Sequence, residues 1–399
     1  MTPHDTMPER AGAGRTKIIH LMVDDKFIDS AVREFEAVRP GAHEYLIADA
    51  RPPYRYVRSS LVRPVSRAAW TDRIAQPDVA GVILHSLPAE HHALLREIPP
   101  GPTVIWIGWG YDYYGLINNA FPDGLLLPAT AAAVAQLQGR HGRSGAMRAS
   151  ELAWARPCAK PSRDELEALQ RVDVFSPVLE NEYVLVRRHQ SALRARYLRW
   201  NYGTVEDDLS LQDAESADPI TLGPNLLVGN SAAPANNHLE LFDLIRRHVD
   251  LGGRQLIVPL SYGDVAYRGH VERVGRRMFG DAFVPLIDFL PKQRYIELLA
   301  SCGHVLMNHV RQQALGNLVI SGLLGAKLHL NARSPISPWL RRLGVTVSDV
   351  GRLDLSDLPP PAQQAQAAVL RAELGRDAQR RRTLAMIDVA LAAWSMPGR

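Results

Sequence analysis

Apolar residues along this chain follow two recurring patterns. Short runs rich in Val, Ile and Leu alternate with longer stretches in which apolar positions return every three or four residues. The first pattern marks buried strands and the second amphipathic helices. Thr16 to Met22 reads as an opening strand, and Phe27, Ala31, Phe35 and Val38 mark the helix after it. Further strands are expected at His43–Ile47, Val79–His85, Thr103–Ile107, Val172–Phe175 and Arg196–Trp200, with helices at Glu90–Glu97 and Glu180–Arg188. Strands that alternate with helices form parallel sheets covered on both faces.

The alternation stops at residues 206–224, which are acidic, polar and turn-rich, and it restarts with strands at Asn225–Val228, Gln255–Pro259, Ala282–Ile287, Gly303–Met307 and Ala326–Leu330. Ala362–Trp394 is Ala-rich and helical, with Arg on its exposed side. The expected organisation is α/β. It has a disordered leader at 1–15, a doubly wound Rossmann-like domain at 16–205, a linker at 206–224, a second such domain at 225–360 and C-terminal helices at 361–399. Two such domains face a central cleft, and doubly wound sheets bind ligands beyond the carboxyl ends of their strands. That narrows function to a cleft enzyme or a cleft binder.

Composition changes this picture little. Apolar residues at 46% and charged residues at 22% are those of an ordinary globular core. No stretch approaches the roughly 18 apolar residues that cross a bilayer, and Met1 to Gly14 lacks the apolar segment of a signal peptide. Cys158 and Cys302 make neither a disulfide framework nor a zinc cluster, which fits a reducing cytoplasm. A net charge of +4 is no nucleic-acid signature. Basic residues gather between Arg187 and Arg199, interleaved with Leu193, Tyr197, Leu198 and Trp200. Such a face rests on an anionic membrane, holds a diphosphate-lipid, or is simply solvated.

In the second half, Gly229-Asn230-Ser231 ends a strand and opens a loop before a helix expected near Asn237. Gly229 would let the backbone approach a ligand, and Asn230 and Ser231 offer short polar groups. Asn236, Asn237 and His238 either join that contact or cap the helix, with Glu240 completing a capping box. Arg311-Gln312-Gln313 leads from a strand into a helix starting near Gly316 and Asn317. A small residue and an amide at a helix N-terminus after a strand form a seat for a diphosphate. Tyr262 lies just past another strand end, whereas Tyr295 reads as core. The chain has no Asp-x-Asp triplet, and neither a P-loop nor a G-x-G-x-x-G fingerprint. His304 and His309 make no metal cluster with neighbouring carboxylates.

In the first half, Trp106 to Tyr114 places two glycines and five aromatics directly after a strand. Asp112 would project towards the cleft as the base for an acceptor hydroxyl, with His85 as the alternative; each has a structural reading, Asp112 as a loop cap. Of Asp24 and Asp25, one is read as capping the next helix and the other is left open.

These residues together resemble the bacterial 4-acetamido-4,6-dideoxygalactose transferases of enterobacterial common antigen synthesis, over roughly Thr16 to Leu343. The motifs are Gly229-Asn230-Ser231 with Asn236 and His238, Pro259 with Tyr262, Arg311-Gln312-Gln313 with Gly316, and Trp109-Gly110 with Asp112 and Tyr114. The resemblance implies a GT-B fold, a dTDP-sugar donor in the second domain and a polyprenyl-diphosphate-linked saccharide acceptor. It further implies a reaction at the inner face of the inner membrane; the missing Asp-x-Asp triplet makes a metal-independent reaction the expectation. Asp25, Trp109, Gly110 and Tyr114 would then lie on the acceptor side. A nucleotide-sugar 2-epimerase and a non-catalytic nucleotide-sugar-binding scaffold are the competing readings of the same architecture.

Overall fold

The computed structural model describes residues 16–141, 161–208 and 222–392. The expected leader and most of the expected linker, together with Cys158, lie outside the described residues. Seven strands make the first sheet: β1 Lys17–Met22, β2 His43–Ala48, β3 Val62–Val65, β4 Val79–His85, β5 Thr103–Ile107, β6 Val174–Ser176 and β7 Arg196–Tyr197. Their order is β3-β2-β1-β4-β5-β6-β7, and every neighbouring pair is parallel. The central strands are the continuous apolar runs. Every residue of β4 is buried, as is all of β1 beyond Lys17.

The second sheet holds β8 Leu226–Val228, β9 Leu256–Pro259, β10 Phe283–Leu286, β11 His304–Met307, β12 Lys327–Leu330 and β13 Val347–Asp349. It runs β10-β9-β8-β11-β12-β13, again wholly parallel. Strand order reverses between β1 and β4 in one sheet and between β8 and β11 in the other, and such switch points open crevices for ligands. The strands that the pattern did not announce are edges. β3 reads Val-Arg-Pro-Val with Arg63 and Pro64 exposed, and edge strands tolerate proline because one side needs no N–H donor.

The two halves are laced together more than one linker would allow. Helix Pro128–His141 precedes the linker in sequence yet packs on the second domain. The Thr130 N–H and hydroxyl donate to the Glu240 carboxylate at 2.9 and 2.6 Å. Asn237, in the left-handed region at φ +52°, accepts from Leu127 N–H at 2.8 Å and donates to the Leu125 and Asn308 carbonyls. Glu240 is thus engaged across the domains, and Asn237 makes no side-chain cap, so the expected capping box does not form.

The C-terminal helices also part company at Gly375. Helix Pro360–Leu374 docks on the second domain, with Gln366 Nε2 donating to the carbonyls of Gly322 and Ala326. Helix Arg376–Leu391 returns to the first, where Met386, Ile387 and Ala390 join a buried cluster with Ile18, Phe35, Ile83 and Ile105.

Candidate active site

Loops at the carboxyl ends of both sheets enclose a cleft of about 980 Å³. On the first-domain wall stand Asp25, Lys26 and Phe27 after β1, Trp109 and Tyr111 after β5, and Tyr202. On the facing wall are Asn230 and Ser231 after β8, Tyr262 after β9, and the stretch Arg311 to Asn317 after β11. Five basic side chains (Lys26, Arg199, Lys292, Arg311 and Arg382) line the cleft against two carboxylates, Asp25 and Asp208. This imbalance suits a doubly charged ligand.

The second-domain wall is a turn from β11 into helix Leu315–Leu323. Ala314 makes the turn at φ +62°, a conformation that L-residues with a Cβ adopt at a cost and that clusters at functional sites. Beyond it Gly316 is exposed, and a Cβ there would meet nothing. The first N–H groups of the helix are therefore open to an anion. Asn230 is the hub beside this turn. Its amide donates to the Tyr262 hydroxyl at 2.8 Å, and its carbonyl oxygen accepts from Gln313 Nε2 at 2.9 Å. Gln313 Oε1 is buried with no hydrogen-bond partner, an acceptor that a ligand hydroxyl would satisfy. Asn317 Nδ2 donates to the Tyr295 hydroxyl at 3.0 Å, so half-buried Tyr295 positions a cleft residue rather than simply filling core.

Three expected donor contacts stand behind the wall. Gly229, at φ +70°, does not line the cleft; a Cβ there would meet Asn236 Oδ1 and His238 Nε2 at 2.8 Å. Its glycine is needed for conformation and for packing, not for ligand approach. Asn236 is fully buried, accepting from Asn230 N–H and donating to Ser231 Oγ. His238 is fully buried against Tyr267, and burial pulls its pKa down to about 3. Both hold the loop that presents Asn230 and Ser231.

The aromatic turn of the first domain divides in the same way. Trp109 and Tyr111 face the cleft, Trp109 packing edge-on against Phe27 and Tyr202. Asp112 does not line it. Its oxygens accept from Leu87 N–H, Trp106 Nε1 and Trp109 N–H at 2.8 to 3.0 Å. Desolvation raises its pKa while these donors oppose the rise. A carboxylate so occupied staples the turn. Gly110, at φ +99°, also stands off the cleft, against Gln312. Tyr114 is fully buried, and its hydroxyl accepts from Gln312 N–H at 2.7 Å, tying the aromatic turn to the turn after β11.

His85 is a buried histidine rather than a cleft base. Its Nε2 lies 2.9 Å from His20 Nδ1 and its Nδ1 2.7 Å from the Tyr202 hydroxyl; desolvation lowers its pKa to about 3. Asp24 and Asp25 separate as their neighbours dictate. Asp24 accepts three backbone N–H groups from Arg55, Tyr56 and Val57, which hold its pKa low against desolvation. Asp25 lines the cleft, and burial raises its pKa although Phe27 N–H donates to it.

Residues 180–347 match the family model for 4-alpha-L-fucosyltransferases, glycosyl transferase group 56. The chain is a glycosyltransferase. The matched span bears out the resemblance read from the sequence; it covers the second-domain motifs and leaves out Trp109 to Tyr114. Solved structures are similar over nearly the whole chain at low identity. A UDP-forming alpha,alpha-trehalose-phosphate synthase from Burkholderia vietnamiensis has TM-score 0.56 and 11% identity, covering 96% of this chain and 99% of that one. The corresponding synthase from Burkholderia xenovorans, in complex with glucose-6-phosphate, gives 0.54 and 10%, covering 94% and 100%. Sucrose-phosphate synthase from Thermosynechococcus elongatus gives 0.53 and 12%, covering 94% and 97%. The fold of the transferase is GT-B.

Several cleft residues of the transferase were missed by the sequence reading. Lys26 and Lys292 sit at helix starts, a signal that could have found them, whereas Tyr202 lies in the loop after β7. Arg382 comes from the C-terminal helix and reaches the cleft only through a long-range return; it shares Glu373 with Arg199. The basic face expected between Arg187 and Arg199 is not an amphipathic surface, because Leu193 and Trp200 are buried. Arg187 is turned onto the Leu193 carbonyl.

Glu182 was also missed. It is fully buried beside the turn after β11, accepting from Tyr113 and from Leu179 N–H. Desolvation pushes its pKa up to about 7, opposed by Tyr114, Tyr113, Leu179 and Arg311. The folded chain therefore keeps a proton that the unfolded chain releases near 4.5. Stability should be fully present below that value, fall as pH rises to about 7, and then level off. Each tenfold gain in proton affinity on folding is worth about 1.4 kcal/mol, which makes the fall about 2–4 kcal/mol. Denaturant titrations across pH check this, and Glu182→Gln should flatten the segment; an unchanged slope would remove Glu182 as its source.

Proposed function

We propose that this glycosyltransferase moves a deoxy-amino sugar from a thymidine-diphosphate sugar to a lipid-linked saccharide during cell-surface polysaccharide synthesis. The observation that carries the reading is the turn after β11. Open helix N–H groups, Arg311, Gln313 and Asn317 stand together there, facing an aromatic wall that holds Asp25. The N–H groups and Arg311 would stabilise charge growing on the departing diphosphate. Gln313 Oε1 would take a sugar hydroxyl. Phe27, Trp109 and Tyr202 offer apolar faces to the acceptor sugar, and Asp25 would take the proton from its hydroxyl.

Donor type and acceptor rest on the resemblance of the motifs, and metal independence on the lack of an Asp-x-Asp triplet. Among the described residues no group of three or more His, Cys, Asp or Glu could hold a metal ion. A lipid-linked acceptor would place the enzyme at the inner face of the inner membrane as a peripheral protein. A thermal-shift panel of nucleoside diphosphates, with and without a chelator, tests the donor reading. The expected result is a larger stabilisation by thymidine diphosphate than by uridine or guanosine diphosphate, unaffected by chelator. Preference for another nucleotide would overturn the donor assignment.

A further inference from the structure

Between residues 50 and 71 the chain carries five arginines and neither an aspartate nor a glutamate. Most of this segment is the loop joining β2 to β3, at the edge of the first sheet. Arg51, Arg55, Tyr56, Arg58, Leu61 and Arg63 are exposed, Tyr56 and Leu61 at 41% and 50%. Exposed arginines mixed with an aromatic and a leucine are the composition of a surface that enters lipid headgroups.

The loop is held in place from beneath. Asp24 accepts the N–H groups of Arg55, Tyr56 and Val57, and Asp29 those of Arg58 and Ser59. These two carboxylates are engaged by the loop's backbone, and Arg58 also lies close enough to favour the charged form of Asp24. Of the five arginines, Arg63 lies 3.7 Å from Glu44 and Arg67 pairs with Glu97. Arg58 is folded back onto the carbonyls of Tyr54, Arg55 and Val57. Arg55 stacks over the Tyr56 ring, 4.9 Å from its centroid, which couples a cation to an interfacial aromatic.

Asp24 grips the loop, and the next residue, Asp25, lines the cleft. The loop therefore borders the wall proposed for the acceptor. Among the described residues no helix is long and apolar enough to cross a membrane.

We infer that residues 51–63 form the surface by which the transferase rests on an anionic lipid bilayer, bringing the mouth of the cleft to the headgroups. The orientation rests on the lipid-linked acceptor reading, whereas the lipid contact stands by itself. Each arginine near such a surface contributes about fivefold in partitioning, and salt screens the attraction.

The test is co-sedimentation of the full chain with phosphatidylglycerol-containing vesicles against pure phosphatidylcholine vesicles, without acceptor. The triple variant Arg51→Ser, Arg55→Ser, Tyr56→Ser leaves Arg58 to brace the loop, and should lower binding to the anionic vesicles by at least about tenfold. Arg188→Ser with Arg194→Ser, on the other basic stretch, should leave binding unchanged. Nucleoside diphosphate affinity, read by calorimetry, should be the same in all three proteins and verifies folding. Equal binding of the wild type to both vesicle types overturns the inference, as does a triple variant that binds like wild type. Because no acceptor is present, failure of the lipid-linked reading would leave these results standing.

Discussion

Asp25→Asn should lower turnover by roughly 10²–10⁴-fold, the usual range for loss of a general base, with affinity for the nucleoside diphosphate nearly unchanged. An asparagine keeps the shape of the loop and can still accept from Phe27 N–H, but it cannot take a proton. The proposed donor seat lies on the opposite wall, so binding and turnover should separate. Asp112→Asn should behave in the opposite way. Its amide would bring an NH₂ group among three N–H donors, destabilising the fold by about 1–3 kcal/mol while folded molecules keep turning over. Turnover and calorimetric donor affinity on both variants decide the matter. Wild-type turnover in Asp25→Asn would sink the assignment, and a stable but inactive Asp112→Asn would return the role to Asp112.

Arg311→Met should cost about 10²–10³-fold in turnover, the range seen when one stabiliser of developing charge is removed, and should weaken donor binding as well. Arg311 lies at the end of the loop after β11 and also faces buried Glu182, whose proton it helps to release. Removing it should therefore raise the Glu182 pKa further and extend the pH-dependent stability segment to higher pH. Arg311→Lys should recover little, since a point charge lacks the planar fork that meets two phosphate oxygens together. Steady-state turnover, donor affinity and denaturation across pH read these effects separately. Normal turnover in Arg311→Met would remove the residue from the chemistry.

The central strands were legible because burial on both faces writes an unbroken apolar run, as in Val79–His85. Two of the edge strands, β3 and β13, were not, because half their surface is solvated and β3 carries Arg63 and Pro64. The second-domain site was legible as a place: a strand, a polar turn and a helix start follow one another in the sequence. Which side chains of a turn face the ligand was not. Trp109 and Tyr111 face the cleft, whereas Asp112, Tyr113 and Tyr114 turn inward, a division set by backbone dihedrals such as φ +99° at Gly110. Asp25 and Asp112 both follow strands, and only the convergence of N–H donors from Leu87 and Trp109 separates their roles. The basic stretch near Trp200 misled for a related reason. The cover over Trp200 comes from a helix nearly two hundred residues away: its indole N–H donates to the Thr383 hydroxyl, and Met386 and Ile387 join the same buried cluster.

That returning helix has a consequence for the order in which the protein is made. Domains of a nascent chain ordinarily fold as they emerge, the first before the second. Here the first sheet cannot be finished that way, because Met386, Ile387 and Ala390 supply part of its cover, and Gly81 has no side chain where Ala390 packs against it. Until residues 386–390 leave the ribosome, Ile18, Ile83 and Ile105 lack part of their apolar lid. Of these two domains, the one translated earlier is therefore completed later, and a chain truncated before residue 376 would leave the first sheet exposed to aggregation or proteolysis.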